Sequence, residues 1–176
     1  MRKLLNEELD RLSVAQFKES EKIPVMVVLD NIRSQNNIGS VFRTADAFRL
    51  EGIILCGITA KPPHREIHKT ALGATDSVHW EYWEETPAAI QDLMDKGYLI
   101  ISVEQTEQAV ALERFRLSAN QKYALVFGNE IRGVDQKVVD LSDMCLEIPQ
   151  HGTKHSLNIS VAAGIVIWDL FKQYSF

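Results

Sequence analysis

Cysteine is scarce here: Cys56 and Cys145 are the only two in 176 residues, and both sit in apolar, strand-like runs. A disulfide framework is therefore excluded, and two such thiols fit core packing in a reducing compartment. An excess of positive charge is missing too, since 19 Lys and Arg face 24 Asp and Glu for a net charge of −5. Whole-surface attraction to nucleic acid is excluded, and any such partner must meet a local patch. No apolar run approaches membrane-spanning length and no signal-peptide pattern opens the chain, so the expectation is a cytoplasmic protein. Internal repeats, low-complexity tracts and linkers are absent as well. With 45% hydrophobic and 24% charged residues, the chain reads as one soluble domain with a full core.

What is present alternates between buried strands and helices. Residues 2–19 place Leu5, Leu9 and Leu12 at helical spacing, predicting an N-terminal surface helix over 1–20 ahead of the main domain at 21–176. Pro24 to Asp30 is a continuous apolar run, as in a strand covered on both faces. Ile38, Val41, Phe42, Ala45 and Phe48 then recur at helical spacing, with Asn36 or Asn37 as the cap and Arg43 off the apolar stripe. Gly52 to Ile58 is a second strand, and strand–helix–strand predicts a parallel sheet. Further strands are expected at Val78–Trp83, Tyr98–Val103, Tyr123–Phe127 and Cys145–Ile148. Thr86-Pro87 reads as cap and first turn of one helix, and another starts near Asp135.

The stretch from Ile148 to Ala163 leaves a strand at Pro149, crosses a polar loop through Gly152 and enters the last helix near Ser156. A strand, a loop and a helix start form the usual ligand crevice of an open α/β sheet. The last helix is apolar nearly all round. Leu157, Val161, Gly164, Ile165, Trp168 and Phe171 make one face; Ile159, Ala163, Val166, Ile167 and Leu170 make another. The simplest way to bury both is a partner subunit, with Ile159, Ile167 and Leu170 otherwise facing water.

Residues 60–70 concentrate Lys61, His64, Arg65, His68 and Lys69, either a solvated loop or a phosphate-facing patch. His64 and His68 stand at i and i+4, but no third ligand accompanies them, so no metal is expected. Polar and glycine-bearing clusters follow predicted strands at 36–48, 125–135 and 148–158. Each has a plain alternative: Gly128 and Gly133 can simply make turns, Glu130 can be an exposed acid, and Arg43 a surface ion-pair partner. Ser156 beside His155 raises a hydrolase nucleophile, disfavoured because adjacent residues at a helix start point apart. A dinucleotide-binding enzyme is disfavoured by the lack of G-x-G-x-x-G after the first strand.

Together the three clusters resemble the motifs of the SpoU, or TrmH-like, family of RNA ribose 2′-O-methyltransferases in the SPOUT class. Asn37, Gly39, Arg43, Thr44, Ala45 and Phe48 match the first motif. Gly128, Asn129, Glu130 and Gly133 match the second, and Ile148, Pro149, Gly152, Ser156, Leu157 and Asn158 the third. The run at 69–74 is similar as well. Ile131, Gln150 and Arg49-Leu50 depart from the family pattern.

The resemblance implies an α/β fold, mostly parallel with helices on both faces, whose C-terminal chain forms a deep trefoil knot. It implies a homodimer that binds S-adenosylmethionine and methylates a ribose 2′-hydroxyl of tRNA or rRNA. By position, the cofactor would be held around Val103, Glu104, Gly128, Ile148 and Leu157. The catalytic set would be Arg43, Asn37, Glu130, Ser156 and Asn158. Arg43 is expected to grip phosphate and developing oxyanion charge, because a guanidinium is a poor base. RNA contacts are expected from Lys61, Arg65, Lys69 and Lys154, with His151 and His155 also able to meet phosphate. No separate RNA-binding domain is visible, so recognition would fall to the dimer surface. A catalytically silent RNA-binding or assembly module is the other reading.

Overall fold

The structure is a computed structural model that describes residues 1–174. Seven strands form one sheet: β1 (Ile23–Asp30), β2 (Leu50–Cys56), β3 (Trp80–Trp83), β4 (Tyr98–Val103), β5 (Val110–Ala111), β6 (Lys122–Phe127) and β7 (Met144–Glu147). Their order is β3-β2-β1-β6-β4-β7-β5, and every pairing is parallel. Placing β6 between β1 and β4 separates this sheet from the dinucleotide-binding order 3-2-1-4-5-6.

The helices are α1 (Val14–Glu19), α2 (Gln35–Ala47), α3 (Arg65–Ala71), α4 (Ala74–Ser77), α5 (Thr86–Asp95), α6 (Gln136–Leu141) and α7 (Ile159–Gln173). Period-two alternation along the strands distributes them over two faces. Val25, Val27 and Leu29 of β1, with Leu125 and Phe127 of β6, share a core with α2, α3 and α7. Met26, Val28, Ala124 and Val126 face the other way, onto Ala89, Ile90 and Leu93 of α5 and Val138 of α6. The strands therefore read as unbroken apolar runs because both sides are covered. Cys56 is fully buried, and burial pushes its thiol up to about 12. Cys145 is only half-buried.

Several boundaries differ from the sequence expectation. The N-terminal helix over 1–20 is not continuous. Asn6–Leu9 is a 3-10 turn, Asp10 takes a left-handed conformation, and α1 is short, leaving Leu5, Leu9 and Leu12 exposed. Among the described side chains of this region, Phe17 alone packs into the core. α2 starts at Gln35, capped by Ser34 Oγ on the Asn37 N–H at 3.3 Å, not by Asn36 or Asn37. α5 is preceded by Glu85 as its N-terminal flank. Thr86 hydroxyl is taken by the buried Asp30 carboxylate at 2.6 Å instead. β5 was not foreseen, since two residues carry no readable period.

The last helix also starts later than expected. α7 begins at Ile159, with Asn158 Oδ1 accepting the Ser160 N–H at 2.9 Å, so Ser156 and Leu157 belong to the preceding loop. Its burial is corrected as well. Ile159, Ile167 and Leu170 do not face water, because α7 lies over the sheet beside α2 and buries them within the chain. Val161, Ile165 and Trp168 are the ones left exposed. Trp168 joins Phe48 and Phe171 in an aromatic cluster with ring centroids 4.9 to 5.7 Å apart.

Candidate active site

The carboxyl ends of β4, β6 and β7 point to one end of the sheet, and the loops leaving them enclose a cavity of about 640 Å³. Val103 ends β4 with Glu104 just beyond it. Gly128 follows β6, Ile148 follows β7, and Leu157 precedes α7. All five line this cavity, as do Glu130, Ser156 and Asn158. Residues from four separate stretches thus meet because parallel strands deliver their exits to the same edge.

The loop after β6 is shaped by backbone closeness. Asn129 and Gly133 exchange two main-chain hydrogen bonds, at 2.9 and 2.8 Å. A Cβ on Gly128 would overlap the Gly133 carbonyl group and the Val134 nitrogen. Gly128 is therefore required by the chain's own fold. Gly133 has φ of 70° and no room for a side chain against the Glu104 carboxylate. That carboxylate accepts the Val134 N–H at 3.0 Å and the Gln105 N–H at 2.9 Å, tying the ends of β4 and β6 together. Gly39, on α2, has a packing reason too: a Cβ there would overlap Thr70 and the Ile67 carbonyl of α3.

A polar network closes the rim. Glu130 accepts the N–H groups of Arg33 and Ser34 at 3.0 Å each, and the Asn37 side-chain amide at 3.2 Å. Asn37 Oδ1 accepts in turn from the Asn158 amide at 3.2 Å. Partial burial alone would raise the Glu130 carboxyl. The amides of Arg33, Glu130 itself and Ser34, with Asn37, outweigh it and hold the group below its ordinary value. Asn129 links the same loop to the residue just after β1, donating to the Asn31 carbonyl at 2.7 Å. Asp30 holds the next turn by accepting the Asp135 N–H at 3.0 Å.

Other sequence candidates lie apart from the cavity. Asn37 reaches it only through Glu130 and Asn158. Arg43 is exposed, roughly 9 Å further along α2 at a 1.5 Å rise per residue. It makes no hydrogen bond or ion pair among the described residues. Lys61 lies over the Tyr82 ring at 4.0 Å, and Lys69 pairs with Glu66 at 2.9 Å. Arg65 is 3.9 Å from the same carboxylate. This stretch is thus partly neutralised by its own neighbours. Lys154 and His151 stand exposed in the loop before α7, while His155 lines the cavity. His64 Nδ1 accepts the Glu66 N–H at 3.2 Å, serving as a helix cap. No cluster of three or more His, Cys, Asp or Glu suited to a metal occurs among the described residues. Ser156 makes no hydrogen bond to His155 among the described residues, which leaves the hydrolase reading without its base.

Sequence reasoning missed Gln105, Thr106, Arg132 and Gln136, which also line the cavity. Gln105 and Thr106 had a usable signal, since they directly follow a strand end. Gln105 Nε2 donates to the His155 carbonyl at 2.9 Å, fastening the loop after β4 to the loop before α7.

Comparison with known proteins bears on the family and the fold. A protein of Staphylococcus aureus assigned to the TrmH family of tRNA/rRNA methyltransferases is 30% identical over 158 residues, covering 90% of this chain and 62% of that protein. This chain therefore spans somewhat less than two thirds of that relative's length. Among solved structures, the AdoMet-bound rRNA methyltransferase from Sinorhizobium meliloti superposes with a TM-score of 0.78 at 25% identity, covering 87% of this chain and 58% of that one. The TrmH/SpoU tRNA modifying enzyme of A. aeolicus gives 0.80 at 23% identity, covering 91% and 81%, and shares the fold. The model of the SpoU rRNA Methylase family matches residues 24–168, and the chain belongs to that family.

Proposed function

We propose that this protein transfers a methyl group from S-adenosylmethionine to a ribose 2′-hydroxyl of tRNA or rRNA. The observation that carries the reading is the cavity itself. Its volume suits a cofactor of this size. Val103, Leu146, Ile148, Leu157 and Ile159 offer apolar flanks for an adenine ring, and loop main-chain groups offer hydrogen bonds. The carboxylates of Glu104, Glu130 and Glu147 lie on the same walls and suit a cationic sulfonium. Bound S-adenosylmethionine supplies a methyl group already activated by that charge.

The chain's own residues position the acceptor. Asn37 and Asn158 form a fixed amide pair at the rim, able to orient a hydroxyl. Glu130 spends its oxygens on main-chain N–H groups, so its part is to hold the α2 entrance and Asn37 in place rather than to take the proton. Ser156 is exposed at the cavity wall and adds a hydroxyl. Arg43, without a hydrogen bond or ion pair among the described residues, is available to an RNA phosphate and to oxyanion charge, and the phosphate can receive the proton. Lys61, Arg65, Lys69 and Lys154 remain the proposed phosphate contacts beyond it.

The same reading includes a cytoplasmic homodimer and the family's knotted passage. The exposed Val161, Ile165 and Trp168 support the dimer, since a second copy would cover them. The bond between Gln105 and the His155 carbonyl supports close passage of the two loops.

The test is transfer of labelled methyl from S-adenosylmethionine to RNA of cells lacking this gene, followed by nucleoside mapping. The expected product is a 2′-O-methylnucleoside. Methylated bases alone, or no transfer to any RNA, would overturn the reading.

A further inference from the structure

Apart from Met1, Ile131 is the most exposed large apolar residue among those described, at 74%. It sits at the tip of the hairpin closed by Asn129 and Gly133. This tip is held on both sides. Asn129 Oδ1 accepts the N–H groups of Ile131 and Arg132, at 3.0 and 3.2 Å. Next to them, Glu130 is fastened to the amides of Arg33 and Ser34. The chain therefore presents an apolar side chain to water from an immobilised turn, where a collapsible loop would have folded it away. Arg132 beside it is exposed, with no hydrogen bond or ion pair from its side chain among the described residues. Both residues border the cavity, one and two positions beyond Glu130, which bonds Asn37.

We propose that Ile131 and Arg132 form an RNA-docking tip that seats the target nucleotide, Ile131 packing on its base or sugar face and Arg132 gripping an adjacent phosphate. The proposal deepens the methyltransferase reading and rests on it. A nucleotide offers an apolar face and an anionic group within one residue's reach, matching an apolar side chain beside an unpaired guanidinium. Ile131 can pack on a base only if that base is unstacked, so the substrate class is an unpaired nucleotide in a loop or single-stranded segment. Because Ile131 is held by the turn that carries Glu130, the seated ribose would come to rest at the Asn37 and Asn158 amides.

The experiment compares wild type with Ile131→Ser, Ile131→Met and Arg132→Ala, using RNA from cells lacking the gene. Single-turnover methylation at limiting RNA, calorimetric titration with S-adenosylmethionine and sedimentation are measured for each. Ile131→Ser and Arg132→Ala are expected to lose roughly tenfold in methylation efficiency, as for loss of one anchor residue. The loss should persist at saturating S-adenosylmethionine, sedimentation should stay as in wild type, which also shows that the variants fold, and Ile131→Met should recover most of the rate. Arg132→Ala should lower the slope of log binding against log salt by about 1. Wild-type efficiency in both Ile131→Ser and Arg132→Ala would overturn this proposal alone. A changed sedimentation coefficient for Ile131→Ser would assign the tip to a protein interface and overturn it as well. A wild-type protein that methylates no RNA would remove the methyltransferase reading and this proposal together.

Discussion

Asn158 donates its side-chain amide to Asn37 Oδ1 at 3.2 Å, joining residues 121 positions apart in the chain. Each has a second duty in its own element. Asn158 caps α7 through the Ser160 N–H, and Asn37 donates to Glu130. Two bonds meeting at Asn37 thus connect the start of α7, the first turn of α2 and the loop after β6 at the cavity rim. Asn158→Ala is expected to lower stability by about 1 kcal/mol through the lost cap, and to lower turnover besides. Asn158→Asp, which can still cap, should restore the stability while leaving turnover impaired. Denaturant unfolding alongside methyl transfer checks this, and equal recovery of both quantities would remove the orienting role.

Glu130 gives a pH-dependent prediction. Its folded value lies below the ordinary 4.5, so the stability it contributes is present above that value and lost as pH falls through the folded value. Amide exchange at Arg33 and Ser34 should therefore accelerate as pH drops below 4.5, after correction for intrinsic rates. In Glu130→Gln the extra acceleration should be absent, with faster exchange already at neutral pH.

Gly128 lies against the backbone of Gly133 and Val134. A side chain at this position would meet the protein's own backbone before any ligand. Even Gly128→Ala should cost about 1–3 kcal/mol, the usual range for overpacking. The urea midpoint should fall without any cofactor present. An unchanged midpoint with lost cofactor binding would return Gly128 to a ligand-facing role.

Arg43 is exposed and has no partner among the described residues, so Arg43→Ala should leave stability within about 0.5 kcal/mol of wild type. If it clamps phosphate and oxyanion, turnover should drop roughly 10²-fold or more, with cofactor affinity unchanged. Arg43→Lys should recover only part of the rate, since one ammonium cannot reproduce a two-pronged grip. Single-turnover rates at saturating RNA decide the matter, and a wild-type rate for Arg43→Ala would end the assignment.

Two substitutions on α7 should behave oppositely. Trp168→Asp lies on the exposed face and should yield a folded monomer in sedimentation if a second copy covers that face. Ile167→Ala lies in the core, 1% exposed, and should cost about 2–5 kcal/mol. A folded monomer for wild type at micromolar concentration would refute the dimer.

The sequence by itself determined the parallel α/β sheet. Val25 to Leu29 and Tyr123 to Phe127 are unbroken apolar runs, and only strands covered on both faces need them. Helix faces such as Ile38, Val41, Phe42 and Ala45 were legible for the same reason, because spacing encodes burial. The clusters at 125–135 and 148–158 could be read as strand exits, whereas the one at 36–48 lies in α2; the residue types of all three already resembled the SpoU motifs. Strand order was not legible, since β6 enters between β1 and β4 through contacts between distant segments. Nor was the fate of individual polar groups. Glu130 looks like a free acid until Arg33 and Ser34 are brought beneath it, and Thr86 looks like a cap until Asp30 takes its hydroxyl. The faces of α7 were ambiguous because periodicity shows which residues are apolar, not which of two apolar faces the sheet will cover. Tertiary packing decided it, burying Ile159, Ile167 and Leu170 and leaving Val161, Ile165 and Trp168 outside.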